Sequence, residues 1–324
     1  MQATATTHHL QAILRAFDPG LTLVRSARPG HGIANDVWMI ETSGDPLVLK
    51  TYDASTGAWK PQREAAIYAV MRDLGIPAPT VHIVDASCDV VPFAWSLAER
   101  LDGDVYSSVF DSLGEDDHIR IYGQLGGYLG ALHGTKFAHF GGPVRAGEEL
   151  TAGPVPELDF RGPFVQWAEM HDAIVAARLR LMERTAFADL VPGVETYLHD
   201  HRFLIEGEIV PRLLHMDLHQ GNILVSSGQV TGILDVEEAI IGHNEYDLMR
   251  TELAHFRGSP PAFERAFRCA YEEHVPIDEG YPRRRHFYDV SRTLAWIQSI
   301  LLHGTGEHQR AARSHLRSLL QGGA

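Results

Sequence analysis

Over the first hundred residues, apolar positions alternate with polar ones in short runs cut by turns, the period of half-buried strands. Residues 21–24, 35–40 and 46–50 read as three strands, separated by Pro29-Gly30-His31-Gly32 and Ser43-Gly44-Asp45, and they predict a small antiparallel meander. Ala65, Ala66, Tyr68, Ala69 and Leu74 then recur at helical spacing across 61–74, a helix that Gly75-Ile76-Pro77 stops. Two more strands are expected at 81–84 and 93–100. Beyond Gly103 the period changes from two to about 3.6, and helices are predicted at 116–133, 163–184, 194–207, 246–256, 261–273 and 283–303. A hairpin at 222–225 and 230–235, turning at Ser226-Ser227-Gly228, interrupts them, and 147–163 reads as a loop rich in Gly, Pro and acidic residues. A strand-rich first part joined to a helix-rich remainder predicts an α+β, bilobal architecture. Its boundary falls near 98–103, giving lobes at 1–102 and 103–324 with the cleft between them as the expected ligand site.

Composition narrows the function classes. The 324 residues carry 42 Asp and Glu against 28 Lys and Arg, a formal charge of −14, with no basic run able to track a phosphate backbone, so no nucleic-acid partner is expected. An acidic surface of this kind can also steer a cationic small molecule. Cys88 and Cys269 stand far apart and form no CxxC pair, and no apolar run approaches a membrane span or a signal-peptide core. The expectation is a cytoplasmic protein with no membrane partner.

Candidate chemistry concentrates in Leu213-Leu214-His215-Met216-Asp217-Leu218-His219-Gln220-Gly221-Asn222 and in Ile233-Leu234-Asp235. Two short loops framed by apolar strands place an Asp, an Asn and a second Asp in order. Kinase-type phosphoryl transfer uses such a set as a base for the attacking hydroxyl and two magnesium ligands. His215-x-Asp217-x-His219 also resembles a metallo-hydrolase cluster, but that chemistry needs further His or Asp ligands and has no use for Asn222 and Asp235. His215 is read as an anchor of the loop and His219 as its far wall. Lys50, at the end of an apolar strand, suits a point charge on nucleotide phosphates, and Glu64 on the next helix is its expected partner. Residues 28–36, with Gly30, Gly32 and Asn35, offer backbone amides to phosphates, although the third glycine of a GxGxxG is missing. Asp247 follows a Gly-containing loop and opens a helix; it reads as a cap that also braces the catalytic loop.

Together, Lys50, Glu64, the junction Glu99-Arg100-Leu101-Asp102-Gly103, His215 through Asn222, Ile233-x-Asp235 and Gly242 to Asp247 resemble the aminoglycoside phosphotransferase family over roughly residues 21–256. The resemblance implies a protein-kinase-like fold, ATP or GTP as donor with Mg²⁺, and a hydroxyl of a small molecule as acceptor. It implies Asp217 as base, Asn222 and Asp235 as metal ligands, Lys50 with Glu64 on the phosphates, and the backbone of Ala98, Glu99, Arg100 and Leu101 against the purine. Two departures stand out. Met216 occupies a place where relatives usually have Gly and is expected to narrow the approach to Asp217, while Glu237 and Glu238 follow Asp235 as candidates for substrate or metal contact.

The acceptor expected first is an antibiotic of aminoglycoside, hygromycin, macrolide or nucleoside type, with resistance as the outcome. The alternatives are a choline, homoserine or methylthioribose type of metabolite kinase, or a nucleotide-binding regulatory module. Asp111, Glu115, Asp116, Glu157 and Asp159 are candidate contacts for amino groups. Tyr106, Phe110, Phe164, Trp167, Tyr288 and Trp296 fall at helical spacing more typical of core than of a stacking surface.

Overall fold

The period-two alternation becomes a five-stranded antiparallel sheet in the computed structural model of the protein, which describes residues 5–28, 36–52, 59–147, 149–158 and 161–322. Elements through the first part of the chain are α1 (Thr7–Phe17), β1 (Leu23–Ala27), β2 (Asp36–Thr42), β3 (Leu47–Tyr52), α2 (Trp59–Asp73), β4 (Val81–Asp85), β5 (Ala94–Glu99), β6 (Asp104–Val105), α3 (Tyr106–Val109) and α4 (Glu115–Gly134). Next come β7 (Gly142–Ala146), β8 (Glu149–Gly153), α5 (Trp167–Met182), α6 (Val191–Asp200), β9 (Arg212–Leu214), β10 (Ile223–Ser226), β11 (Gln229–Ile233) and β12 (Ile240–Gly242). The chain closes with α7 (Asn244–His255), α8 (Pro261–Glu272), α9 (Tyr281–His303) and α10 (Gly306–Gln321). It forms two compact units: Met1–Asp117 with Val144–Leu150 and Gln220–Glu237, and His118–Pro143 with Thr151–His219 and Glu238–Ala324.

In the first unit the sheet order is β1-β2-β3-β5-β4, so β3 is its middle strand. Successive side chains of a strand point to opposite faces. Leu47 and Leu49 of β3, with Trp95 and Leu97 of β5, therefore share one buried face, which Leu10, Ile13 and Leu14 of α1 cover. Val48, Lys50 and Tyr52, with Ser96 and Ala98, occupy the other. A second sheet, β11-β10-β6, belongs to the same unit. Gly103 has φ of +127°, and a Cβ there would meet the Thr231 hydroxyl and come within 2.9 Å of the Val225 carbonyl, so this corner requires glycine.

The second unit is helical. Its core holds Trp167, Tyr246, Phe287 and Tyr288, with Trp167 Nε1 donating to the Tyr288 hydroxyl at 2.8 Å and Arg178 donating to the Tyr246 hydroxyl at 3.0 Å. β9 pairs antiparallel with β12 and fixes the start of the loop that carries Asp217. Glycines let α4 lie close to α8: a Cβ on Gly126 would strike the carbonyl of Phe267, and one on Gly130 would fall 2.9 Å from that of Tyr271.

Several readings of the sequence are corrected. Lys50 does not end its strand, because β3 runs on to Tyr52. The loop expected at 147–163 contains β8, whose half-buried and exposed residues alternate from Glu149, and a 3-10 turn at Pro156–Leu158. The helix expected from 163 begins at Trp167, since Phe164 is held by reciprocal backbone hydrogen bonds to Phe140. α1 and α10 were not expected; each is opened by a capping box in which His, at His9 or His308, replaces the usual Glu or Gln. Tyr106, Trp167 and Tyr288 are core residues, in line with the reading of their helical spacing. Among the described residues no helix is long and apolar enough to cross a membrane.

The glycines of α4 provide a paired test. Gly126→Ala forces backbone apart and is expected to lower unfolding free energy by about 1–3 kcal/mol. Gly127→Ala adds a methyl into open space within the same helix and is expected to raise it by up to about 1 kcal/mol. Urea denaturation of both variants measures the difference, and equal effects would contradict the packing described.

Candidate active site

Lys50 reaches a pocket of about 420 Å³ in the first unit from the middle of the sheet. Its ammonium donates to Glu64 Oε2 at 2.9 Å and stands 3.6 Å from both Asp235 Oδ1 and Glu237 Oε2. Burial alone would depress this amine, but Glu64 first, then Tyr52, Asp235 and Glu237, raise its pKa well above the ordinary lysine value, so it remains a cation. Glu64 faces the pocket because Pro61, Glu64, Ala65 and Tyr68 share one face of α2 at helical spacing. Its Oε2 also accepts from the Tyr52 hydroxyl at 3.2 Å, and Tyr52 meets Ser96 at 3.0 Å.

Asp235 ends the β10–β11 hairpin segment with φ of +62°, a left-handed conformation that costs a non-glycine residue roughly 1–2 kcal/mol. Two hydrogen bonds fix the approach: Asp235 N donates to the Tyr68 hydroxyl at 2.9 Å, and Leu234 N donates to the Asn222 carbonyl at 2.9 Å. Asn222 and Asp235 thus line the same pocket as Lys50. Asp235 Oδ1 is buried and accepts no hydrogen bond. An oxygen left open in this way, beside a second oxygen donor in Asn222, fits magnesium, which takes one or two protein ligands and completes its shell with water and phosphate. Among the described residues no group of three or more His, Cys, Asp or Glu is arranged to hold a metal.

Ala98, Glu99, Arg100 and Leu101 line the same pocket, but two of their amides are engaged: Glu99 N donates to Thr80 O at 2.9 Å and Arg100 N to Pro46 O at 3.2 Å. Glu237 also lies here, held by Lys60 at 2.8 Å. The candidate phosphate-covering residues Gly30, Gly32 and Asn35, and the acidic candidate Asp159, lie outside the described residues.

In the second unit, Asp217 follows β9 on a loop governed by Asp247. The Asp247 side chain is fully buried; Oδ2 accepts from His215 N at 2.6 Å, Oδ1 from Met216 N at 3.0 Å, and His133 Nε2 lies 3.1 Å from Oδ2. Asp247 is not the helix cap read from the sequence: the N-cap of α7 is His243, and Asp247 sits inside the first turn facing the loop. Met216 has φ of +70° while its side chain is 3 % exposed and packs in the core, so it turns away into apolar contacts where a narrowing of the approach was expected. Asp217 N donates to His215 Nδ1 at 3.2 Å, and His255 Nε2, whose ring burial lowers to a pKa of about 4, donates to Leu218 O at 3.1 Å.

The Asp217 carboxylate is left facing outward, 3.5 Å from His219 Nε2 and 4.0 Å from Arg250 Nη2. Burial pushes its pKa up, but His219, Arg250 and His215 outweigh it and hold the group below the ordinary Asp value, ionised at neutral pH. Glu238 is exposed, and its pKa is raised by the low polarity around its carboxyl and by Glu157, with Asp217 adding to it. Reading the sequence missed Tyr52, Lys60, Tyr68 and Arg250. Simple periodicity marks two of them, since Tyr52 is two residues from Lys50 on a strand and Tyr68 four from Glu64 on a helix.

The sequence model of the phosphotransferase enzyme family, APH, matches residues 26–287. The chain belongs to that family. Solved structures agree on the kinase-like fold. Aminoglycoside phosphotransferase APH(4)-Ia is 15% identical with a TM-score of 0.72, the alignment covering 98% of this chain and 100% of that one. A putative fructosamine-3-kinase from Thermobifida fusca YX-ER1 is 20% identical with a TM-score of 0.67 over 98% of this chain and 100% of its own. A thermostable mutant of APH(4)-Ia, solved in ternary complex with AMP-PNP and hygromycin B, is 15% identical at 0.70, covering 97% and 99%.

For this phosphotransferase, removing the Asp247 charge is expected to loosen the loop. Asp247→Ala leaves two amides and His133 without their acceptor and should cost roughly 3–5 kcal/mol in urea denaturation. The pH dependence has a definite sign. Burial would raise the Asp247 pKa, but His133, His215 and the Met216 amide hold it below its ordinary value. The corresponding stability is complete above the ordinary Asp pKa and is lost as pH falls toward the folded value. Asp247→Asn should lack this part of the acid slope; an unchanged slope would contradict the charge assignment.

Proposed function

We propose that the protein is a magnesium-dependent O-phosphotransferase that moves the terminal phosphoryl group of ATP or GTP to a hydroxyl of a small molecule in the cytoplasm. The observation that carries this reading is the convergence of Lys50, anchored by Glu64, with Asn222 and the open Asp235 oxygen in one pocket. Lys50 binds the donor phosphates, and Asn222 with Asp235 hold the metal. When bound, magnesium neutralises charge that develops on the phosphates.

Asp217 accepts the acceptor hydroxyl's proton as oxygen bonds to the terminal phosphorus and the bond to the bridging oxygen breaks, releasing nucleoside diphosphate. A carboxylate held at low pKa is a weak base, so its main contribution is to orient the hydroxyl, which suits a loose transition state in which proton transfer is late. The segment Ala98–Leu101 supports the base, with the carbonyls and Leu101 contributing because two amides are engaged elsewhere. The engagement of Glu237 by Lys60 favours a place beside the donor over one beside the acceptor. Hygromycin B in the APH(4)-Ia complex supports antibiotic inactivation as the outcome, and the fructosamine-3-kinase likeness supports a metabolite acceptor.

Nucleoside diphosphate release, with mass spectrometry of a substrate panel for a phosphate adduct, tests the reading. Asp217→Asn is expected to lower kcat by about 10²–10⁴ while nucleotide affinity is kept, and near-wild-type turnover would overturn the assignment. Asp235→Asn should raise the magnesium concentration required for activity; indifference to magnesium would count against its role. Expression in a sensitive bacterium should raise tolerance to one drug class if the acceptor is an antibiotic.

A further inference from the structure

A second cavity, of about 290 Å³, lies wholly in the helical unit. It is at the small end of ligand pockets and suits one part of an acceptor, not a multi-ring molecule. Its lining combines Arg257, just past α7, with Arg285, Asp289 and Arg292, which recur at positions i, i+4 and i+7 on one face of α9. Arg250, 4.0 Å from Asp217, stands one turn before the lining residue Leu253 on α7, so the cavity adjoins the acceptor-side carboxylate of the reading above.

Three arginines, Arg257, Arg285 and Arg292, and three carboxylates, Glu252, Glu264 and Asp289, line the cavity, but they are not paired one to one. Glu252 accepts from Arg285 at 2.9 Å, lies 2.6 Å from Arg268, and accepts from the Tyr281 hydroxyl at 2.8 Å, while Glu264 pairs with Arg268 at 3.0 Å. Arg257 and Arg292 form no ion pair among the described residues. Burial first, then Arg250 and Arg257, lower the pKa of Arg292, and the opposing pull of Asp289 and Tyr246 does not restore it. Asp289 is 8 % exposed, and its Oδ1 is buried without a hydrogen-bond donor, with His315 Nε2 at 3.7 Å. Near Asp217 the opposite charge of Glu157 already has Arg178 at 4.0 Å.

We propose that the acceptor of this phosphotransferase carries an anionic group, a carboxylate or a phosphate, seated on Arg292 and Arg257, and a hydroxyl that donates to Asp289 Oδ1. The inference rests on the phosphotransfer reading for its location beside Asp217, and it disfavours polycationic acceptors. Guanidinium recognises both oxyanions bidentately, so the test must separate them.

The full-length protein with Mg²⁺ and AMP-PNP filling the donor pocket would be titrated calorimetrically with D-gluconate, D-glucose 6-phosphate, D-glucose and D-glucosamine. One anionic probe is expected to bind at least about tenfold tighter than the neutral and cationic ones, and which anion wins identifies carboxylate or phosphate. Arg257→Ala and Arg292→Ala should each weaken that binding about tenfold or more, Arg292→Lys less, and Arg310→Ala at an exposed site outside the cavity not at all. Exposed Arg257 keeps the test valid if Arg292→Ala fails to fold. Binding by neutral or cationic probes as tight as the anions, no anion binding, or an Arg257 variant like wild type would overturn the proposal. Transfer from ATP to D-glucosamine without anion binding would sink the cavity assignment and leave phosphotransfer intact. Anion binding with no phosphate transfer to any acceptor would do the reverse.

Discussion

A single buried carboxylate organises the loop that carries Asp217. Asp247 has no contact with solvent, and a charge in that position is stable only if donors surround it. The His215 and Met216 amides and His133 supply them. The geometry these bonds impose has a local cost, the left-handed Met216, which core burial of the Met side chain offsets. What the fold gains is an Asp217 carboxylate whose backbone is held on both sides: its own amide on His215, and the following carbonyl on neutral His255. The loop is fixed from behind by α7, which leaves the Asp217 carboxylate among the side chains of His219 and Arg250.

The pocket around Lys50 depends on a different constraint, the strict alternation of a β-strand. Because Leu47 and Leu49 must meet α1, Val48, Lys50 and Tyr52 must face the opposite way. A one-residue slip in β3 would bury the ammonium among Trp95 and Leu97 and turn leucines into the pocket. Glu64 then has a particular task. A buried lysine tends to lose its proton, and the adjacent carboxylates keep Lys50 charged while Asp235 and Glu237 stand at 3.6 Å, near enough to hold it and too far to bond fully. An anionic ligand bearing its own charges competes with those two longer contacts more readily than with Glu64 at 2.9 Å.

Features of short sequence range were legible. The strands, the Lys50 and Glu64 spacing, and the Asp217, Asn222 and Asp235 order all express periods or motifs within less than twenty residues of sequence, and the fold and family follow from them. The missed elements have physical reasons. α10, with only Ala312 and Leu316 fully buried in a strongly polar helix, and α1, with Leu10, Ile13 and Leu14, do carry the helical period, but both lie outside residues 21–256, to which the motifs drew the reading. Of the two roles read for Asp247, the brace on the catalytic loop is what the structure shows, while the cap is not, because the N-cap position falls four residues earlier at His243. The cavity of the helical unit draws on residues between 252 and 315 in four helices and their connections, with no motif among them.

The acidic composition illustrates why such a site escapes a whole-chain argument. A formal charge of −14 invites the expectation of a cationic acceptor, yet charges on a protein surface act over a Debye length of roughly 8 Å at physiological ionic strength. Within that range Arg292 experiences Arg250, Arg257 and Asp289, and most of the chain's 42 carboxylates are screened from it. Inside a small cavity the nearer charges also act through protein, where the effective dielectric is lower than in water. The charge the cavity favours therefore follows from which groups are already paired: Glu252 and Glu264 bind arginines, while among the described residues Arg257 and Arg292 form no ion pair. The global surplus of acid and a cavity with two arginines outside the ion pairs coexist without conflict, because long-range attraction acts on the encounter while the short-range set decides what remains bound.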